Sequence, residues 1–190
     1  MPPWMAAPKD ELPGIVPVEL VLGRSENTVV MLGGLRVFST GLEMRLSVLL
    51  RGPVGHFDLN GEVFDGPYRH DMSPEWQADR LKWGFEFADG RRVTSVDGSA
   101  WEEATRPGEQ PEPGFQPGGW SHEPTHPVLQ GGGGGSSARE AYRDNWLWPL
   151  PPPGPLVVVC QWLARDIAQT RQEIDGAALA EAAARARPIW

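Results

Sequence analysis

The chain has 190 residues, a formal net charge of -8, 23 Gly, 20 Pro, 9 Trp and a single Cys. One Cys excludes a framework of internal disulfides, and the excess of 25 acidic over 17 basic residues argues against nucleic acid or an anionic membrane as a partner. The length suits one domain, and a hydrophobic content of 40 % argues against a chain that is disordered throughout.

The N-terminal region predicts a flexible arm. Residues 1–14 contain four Pro and have neither the basic start nor the apolar run of a signal peptide. The longest plainly aliphatic run, residues 156–160, is far shorter than the roughly 20 residues that cross a bilayer. We therefore predict a cytoplasmic protein in which residues 15–190 form a single domain.

Apolar and polar residues alternate through the next part of the chain, which predicts β-strands. The clearest pattern covers residues 42–50, where one face would meet a core and the other would meet water. Similar patterns predict strands at residues 16–22, 28–32 and 35–38, with a pair of Gly as the break between the last two.

Two turn signals predict hairpins further along the chain. The Asn-Gly pair at residues 60–61 stands between short apolar runs and predicts a hairpin tip. The Asp-Gly pair at residues 89–90 permits the positive φ angles of a type I′ turn. It would join a strand at residues 81–88 to a second strand at residues 91–96.

Residues 99–141 predict a long disordered loop insert that is rich in Pro and Gly. The segment contains six Pro and a run of five Gly at residues 131–135, and it lacks the apolar side chains that would offset its chain entropy. We place the insert within the domain, because the residues after it make too few strands for a separate sheet.

The C-terminal part predicts three more strands and one helix. The strands cover residues 142–148, 156–163 and 167–174, the last being polar enough for a sheet edge. Asp175 is a good N-cap for an Ala-rich helix at residues 176–187, and the last two residues are predicted to dock as an apolar anchor. The whole pattern predicts an all-β fold, an antiparallel β-sandwich with a short C-terminal helix, with a flattened β-barrel as the alternative.

The block Trp-Leu-Trp-Pro-Leu-Pro-Pro-Pro-Gly-Pro at residues 146–155 leads into a predicted strand. With residues 27–50 and 83–92, this block resembles a family of actinobacterial proteins of unknown function. In that family the block is followed by a strand with a Trp, an Ile-Asp turn and a short Ala-rich helix. The positions here that match this order are Trp162, residues 174–175 and residues 177–186. The resemblance implies an intracellular setting and assigns no activity or catalytic role to any residue here.

His122 and His126 are the first and last residues of a segment that matches the H-E-x-x-H motif of zinc metalloproteases. That motif needs a helix, because residues i and i+4 then share a face and both imidazoles reach one metal ion. Pro124 and Pro127 make a helix improbable here, so a solvated loop is favoured over a metal site. Cys160 lies among apolar strand residues and is predicted as a core residue rather than a nucleophile.

The Trp residues are the most unusual feature of the composition. Trp83, Trp148 and Trp162 are predicted to fill the sandwich core. As an alternative, Trp146 and Trp148, which share a strand face, and Trp162 on the next predicted strand offer a stacking platform for a sugar ring. Three further Trp lie in predicted loops, where exposed aromatic side chains would mark an interaction surface; they are Trp76, Trp101 and Trp120.

These observations favour a non-enzymatic protein that acts through protein–protein interaction, with another protein or with itself. The predicted binding residues are Trp76, Trp101, Trp120 and Trp146. One alternative is a carbohydrate-binding module that uses the Trp platform, and another is a metal-dependent hydrolase that uses His122 and His126. No cofactor and no nucleic-acid or membrane partner is predicted.

Overall fold

The alternating strands assemble into two antiparallel sheets that pack face to face. The structure, a computed structural model, describes residues 1–52, 59–64, 80–97 and 123–190. Its elements in chain order are β1 (Glu11–Leu12), β2 (Gly14–Arg24), β3 (Thr28–Val37), β4 (Leu42–Leu50), α1 (Leu59–Phe64), β5 (Lys82–Glu86), β6 (Arg92–Thr94), β7 (Val128–Ser136), β8 (Glu140–Trp148), β9 (Leu156–Trp162), β10 (Ile167–Ile174), α2 (Gly176–Arg185) and β11 (Arg187–Pro188).

The first sheet has the strand order β2-β3-β4-β8-β7, and the second has the order β10-β9-β5-β6. A two-stranded ribbon joins β1 to β11. Neither sheet closes on itself, so the predicted antiparallel sandwich is confirmed and the barrel alternative is not formed. Strands from before and after the predicted insert pair with each other, β4 with β8 and β5 with β9, and therefore contribute to the same core.

The core lies between the sheets and follows the alternation in the sequence. The inward residues of β4 are Leu42, Met44, Leu46, Val48 and Leu50, and those of β9 are Leu156, Val158, Cys160 and Trp162. Trp83 and Trp162 are buried there as predicted, at 6 % and 1 % exposure. Trp148 belongs instead to the outer face of the first sheet, where it packs with a second apolar cluster.

On one side of the sandwich, β2 of the first sheet contacts β10 of the second. As predicted, β10 is an edge strand of its sheet. The hydroxyl of Thr170 donates a hydrogen bond to the carbonyl of Leu22, and the side chain of Ile167 rests directly on Gly23. A larger residue at Gly23 would therefore push the two sheets apart on this side.

The C-terminal helix α2 packs on β2. The side chain of Asp175 accepts a hydrogen bond from the Ala177 amide at 2.8 Å, so the predicted N-cap is confirmed. The helix ends at Arg185, two residues earlier than predicted, because the chain then turns extended. Its continuation, Arg187–Pro188, pairs with Glu11–Leu12 as the ribbon.

The two ends of the chain differ from the sequence prediction. Residues 1–14, predicted as a flexible arm, make specific contacts: Trp4 is only 3 % exposed, and the Glu11 carboxylate accepts hydrogen bonds from the Ser39 amide and hydroxyl at 2.6 and 2.7 Å. The prediction that the last two residues dock is wrong, since Trp190 is 98 % exposed. The aromatic anchor of this fold is therefore at the opposite end of the chain.

A single strand, β3, replaces the two strands predicted around the Gly pair. The register between β3 and β4 shifts between Gly33 and Arg36, and Gly34 adopts a φ of 64°. A glycine tolerates this left-handed conformation, so the strand bulges there and continues instead of ending.

The hairpin predicted at Asn60-Gly61 is wrong, because this segment forms the short helix α1. Leu59 and Val63 lie four residues apart, which places them on one helix face, and both are buried in the core at 1 % and 8 % exposure. Burial of this apolar pair outweighs the local turn preference of Asn-Gly.

The hairpin between β5 and β6 is confirmed, although its turn is not of type I′. The Gly90 amide donates to the Phe87 carbonyl at 2.9 Å, and Gly90 has a φ of 85°. Asp89 is not among the positive-φ residues of the described chain. The loop is thus the three-residue kind in which a type I turn precedes a left-handed glycine, and only one position needs a positive φ.

The predicted loop insert, residues 99–141, ends earlier than expected. Residues 99–122 lie outside the described residues, but β7 and the start of β8 fall within the remainder. The run of Gly therefore belongs to a strand. Added Cβ atoms would stand 3.1 Å from Arg143 Cδ at Gly131 and 3.1 Å from the Asp144 carbonyl oxygen at Gly132. Glycine suits β7 because this strand passes unusually close to β8.

None of the helices in the described residues has the length and apolar character needed to cross a membrane.

We expect Gly14→Ala to destabilise the fold by about 1–3 kcal/mol, the range for overpacking a close contact. The new Cβ would lie 2.6 Å from the backbone carbon of Ala182 in α2 and 2.8 Å from its Cα, and backbone cannot rotate away. Urea unfolding measures the change. Gly52→Ala is the matched control, because its Cβ meets nothing within 4 Å; equal stability of the two variants would contradict close packing of α2 on β2.

Candidate functional site

Cys160 lies inside the core and is unsuited to nucleophilic chemistry. It is 1 % exposed on the inward face of β9, next to the inward side chains of Val158 and Trp162 along the strand. Burial raises the pKa of its thiol to about 12. Because the thiolate is the reactive form, the side chain acts as a small apolar core residue, as the sequence predicted.

The predicted metal motif is only partly described. His122 lies outside the described residues, whereas His126 is exposed just before β7. Within residues 1–52, 59–64, 80–97 and 123–190, no group of three or more His, Cys, Asp or Glu side chains is placed to hold a metal ion.

Among the Trp predicted to bind a partner, the structure describes Trp146 alone. Trp76, Trp101 and Trp120 lie outside the described residues. Trp146 is on the outer face of β8 and is only 4 % exposed, with Phe38 against its ring and its Nε1–H bonded to the Pro3 carbonyl. A sugar ring would therefore stack on Trp146 only after these contacts had opened.

An aromatic groove crosses the outer face of the first sheet. We define it by Phe38 at the end of β3, Val128 on β7, and Trp146 and Trp148 on β8. Phe38 and Trp146 meet edge to face, with ring centroids 5.7 Å apart and an angle of 72°. Register pairs Val128 with Trp148, so the groove spans the strands β8 and β7.

The groove is occupied by residues 2–5, which we call the resident segment. Trp4 is buried with Val128 and packs with Met5 and Trp148. The indole Nε1–H of Trp146 donates a hydrogen bond of 2.9 Å to the Pro3 carbonyl. One aromatic side chain and one main-chain carbonyl of the segment are thus recognised together.

The resident segment gains and loses similar amounts of free energy when it docks. Burying a Trp removes about 200 Å² from water, which stabilises by about 5 kcal/mol at the usual apolar coefficient. Its hydrogen bond adds about 1 kcal/mol. Fixing the backbone of four residues costs about 4–8 kcal/mol. Docking of the segment is therefore a small difference between larger opposing terms.

The centre of the same outer face carries an exposed ion pair rather than a desolvated site. Arg45 contacts Asp144 through two hydrogen bonds of 2.8 and 3.1 Å, and its guanidinium lies 4.4 Å from the ring centroid of Tyr142. The bond to Asp144 raises the pKa of Arg45. Both charged side chains are well exposed, so the pair contributes at most about 1 kcal/mol.

The far end of this face is apolar. Val21 and Leu49 are 45 % and 39 % exposed, and Val29 and Met31 between them are half-buried. Register places Val21 opposite Met31 and Val29 opposite Leu49, so the four side chains are neighbours on β2, β3 and β4. We call them the apolar row.

The first sheet ends at β7 in an exposed run of glycines, residues 131–134, which we call the glycine edge. A glycine has no side chain, so exposure there is exposure of the main chain itself. Pairing with β8 is interrupted by a bulge between Gly131 and Gly134.

Comparison with protein-family models, with curated proteins and with solved structures gave no match. The resemblance to actinobacterial proteins that the sequence suggests stays a prediction.

Two surface features were missed from the sequence. The Pro-rich arm predicted from the sequence includes Trp4, although aromatic residues are rare in disordered segments. The glycine edge was included in the insert, although residues 128–130 before the Gly run have the composition of a strand. The contacts of Trp4 and of the glycine edge cannot be predicted from their sequence neighbours, because both are made with β8, which comes later in the chain.

We expect Cys160 of the folded protein to resist alkylation at about pH 8, since its pKa of about 12 leaves little thiolate. In denaturing urea the same thiol should react fully, and intact-mass spectrometry distinguishes the two results. Fast modification of the folded chain would contradict the placement of Cys160 in the core.

The same pKa shift predicts a loss of stability at high pH. The folded-state pKa is raised above the unfolded value near 9.0, so the stability from the neutral thiol is complete below about pH 9 and declines as the pH rises towards 12. Cys160→Ala is the control, because it removes the titrating group; the pH dependence over this window should be weaker in the variant.

Proposed function

We propose that this chain is a non-enzymatic β-sandwich that acts through protein–protein contact, with the glycine edge as the place where a partner strand is added. The observation that carries the proposal is the exposure of four consecutive main-chain units, residues 131–134, at the end of a sheet. Unpaired N–H and C=O groups at such an edge are a template for another strand.

The composition of β7 supports this role. Natural edge strands are protected by charged side chains, by Pro or by bulges. The nine residues of Val128–Ser136 have a bulge but contain neither Pro nor a charged residue. β10, at the edge of the other sheet, carries Arg171 and Glu173 and is protected in the usual way. The two edges therefore differ in their readiness to accept a strand.

The partner favoured by these features is the β7 strand of a second copy. Two identical strands pair antiparallel about a two-fold axis, which makes one edge complementary to itself. Each chain carries a net charge of -8, so most surfaces of two copies repel each other, whereas the glycine edge is uncharged. Pairing there joins the two five-stranded sheets into one.

Two other functions predicted from the sequence depend on residues that are covered or not described. A carbohydrate-binding role for Trp146 requires removal of the resident segment, and a hydrolase role would depend on His122, which lies outside the described residues. The cytoplasmic location also stays a prediction.

We expect the wild-type protein to form a concentration-dependent dimer and Gly133→Lys to remain monomeric. A Cβ at Gly133 meets nothing within 4 Å, so the fold tolerates the change while the lysine places a charge at the joining edge. Sedimentation equilibrium measures the association.

Gly52→Lys is the matched control, because it introduces the same charge at another glycine with open space around it. It should dimerise like the wild type. Leu49→Lys tests the apolar row as the competing interface. The proposal fails if the wild type is monomeric at high concentration, or if Leu49→Lys abolishes the dimer while Gly133→Lys preserves it.

A further inference from the structure

We propose that the aromatic groove is a binding site for linear peptides in which a Trp follows Pro residues, and that residues 2–5 are its resident ligand. This site is separate from the glycine edge: it uses the outer faces of β8 and β7, where side chains make the contacts, rather than the main chain of β7.

The groove recognises the resident segment as a proline turn. Trp146 presents its indole N–H to the carbonyl of Pro3 at 2.9 Å, while the body of the ring stays apolar. The Met5 amide closes the turn on the Pro2 carbonyl, which places Pro3 at the second turn position. A proline is favoured there because its ring fixes φ in advance, so the turn costs less chain entropy.

Specificity comes from the pocket that holds Trp4. This side chain is 3 % exposed and packs with Val128 and Trp148. Register fixes Val128 opposite Trp148 on neighbouring strands, so the sheet supplies two sides of the pocket, and Met5 of the segment itself supplies another. A peptide without an aromatic residue at this position would leave the pocket unfilled.

The resident segment combines its own turn with contacts to β7 and β8, and its docking free energy is a small difference between burial and chain ordering. The turn within it, closed by a 3.1 Å hydrogen bond from the Met5 amide to the Pro2 carbonyl, involves no other part of the chain. A ligand held in this way competes with an external peptide of the same chemistry. Tethering gives the resident copy a high effective concentration, which lowers the apparent affinity for the external one.

The test uses a fluorescent peptide with the sequence of residues 1–9 and the full chain carrying Trp4→Ala. We expect fluorescence anisotropy to show saturable binding to Trp4→Ala that is about tenfold or more tighter than binding to the wild type, because the variant vacates the pocket. The same peptide with Ala in place of its Trp should not bind.

Trp190→Ala is the matched control protein, since it removes a Trp that is 98 % exposed and leaves the groove occupied. It should bind the peptide no better than the wild type does. Adding Trp146→Phe to Trp4→Ala should weaken peptide binding by about 3- to 10-fold, because the ring remains while its donor to the carbonyl is lost.

A second measurement keeps the proposal testable if Trp4→Ala does not fold. Excess unlabelled peptide should then displace the resident segment of the wild type and speed tryptic cleavage after Lys9, and the Ala-substituted peptide should not. No binding to folded Trp4→Ala, equal binding of the two peptides, or exchange of the segment only between two copies of the chain would overturn the proposal.

Discussion

The pairing of β4 with β8 is the constraint on which the other features depend. Eight residue pairs, from Leu42 with Leu147 to Leu49 with Glu140, run without a register shift. Because side chains alternate along a strand, this ladder fixes two surfaces at once. Its inner side supplies part of the core, and its outer side supports the aromatic groove and the Arg45–Asp144 pair. A slip of one residue would exchange the two sides.

The architecture could be predicted from local patterns. Strand β4 has the predicted bounds, residues 42–50, because strict alternation leaves only one face able to enter a core. The helix cap at Asp175 can also be predicted from the sequence, since its hydrogen bond joins residues that are close in the chain. In both cases the physical cause is contained within about ten residues.

The candidate sites could not be predicted in the same way, because their causes lie far apart in the chain. Trp4 is buried by Val128 and Trp148, more than a hundred residues later. The Gly run of β7 becomes a strand through close approach to β8, and α1 forms because Leu59 and Val63 reach the core. In each case tertiary contact overrides a composition that suggested an arm, a loop or a turn.

The ribbon of β1 and β11 brings residues 10 and 189 together, with the Ile189 amide donating to the Asp10 carbonyl at 2.8 Å. The chain therefore enters and leaves the sandwich at one point on its surface. Tension applied between residues 10 and 189 would act on the first hydrogen bond of the ribbon and then on the next. This junction resists pulling weakly, because the bonds break one at a time instead of sharing the load.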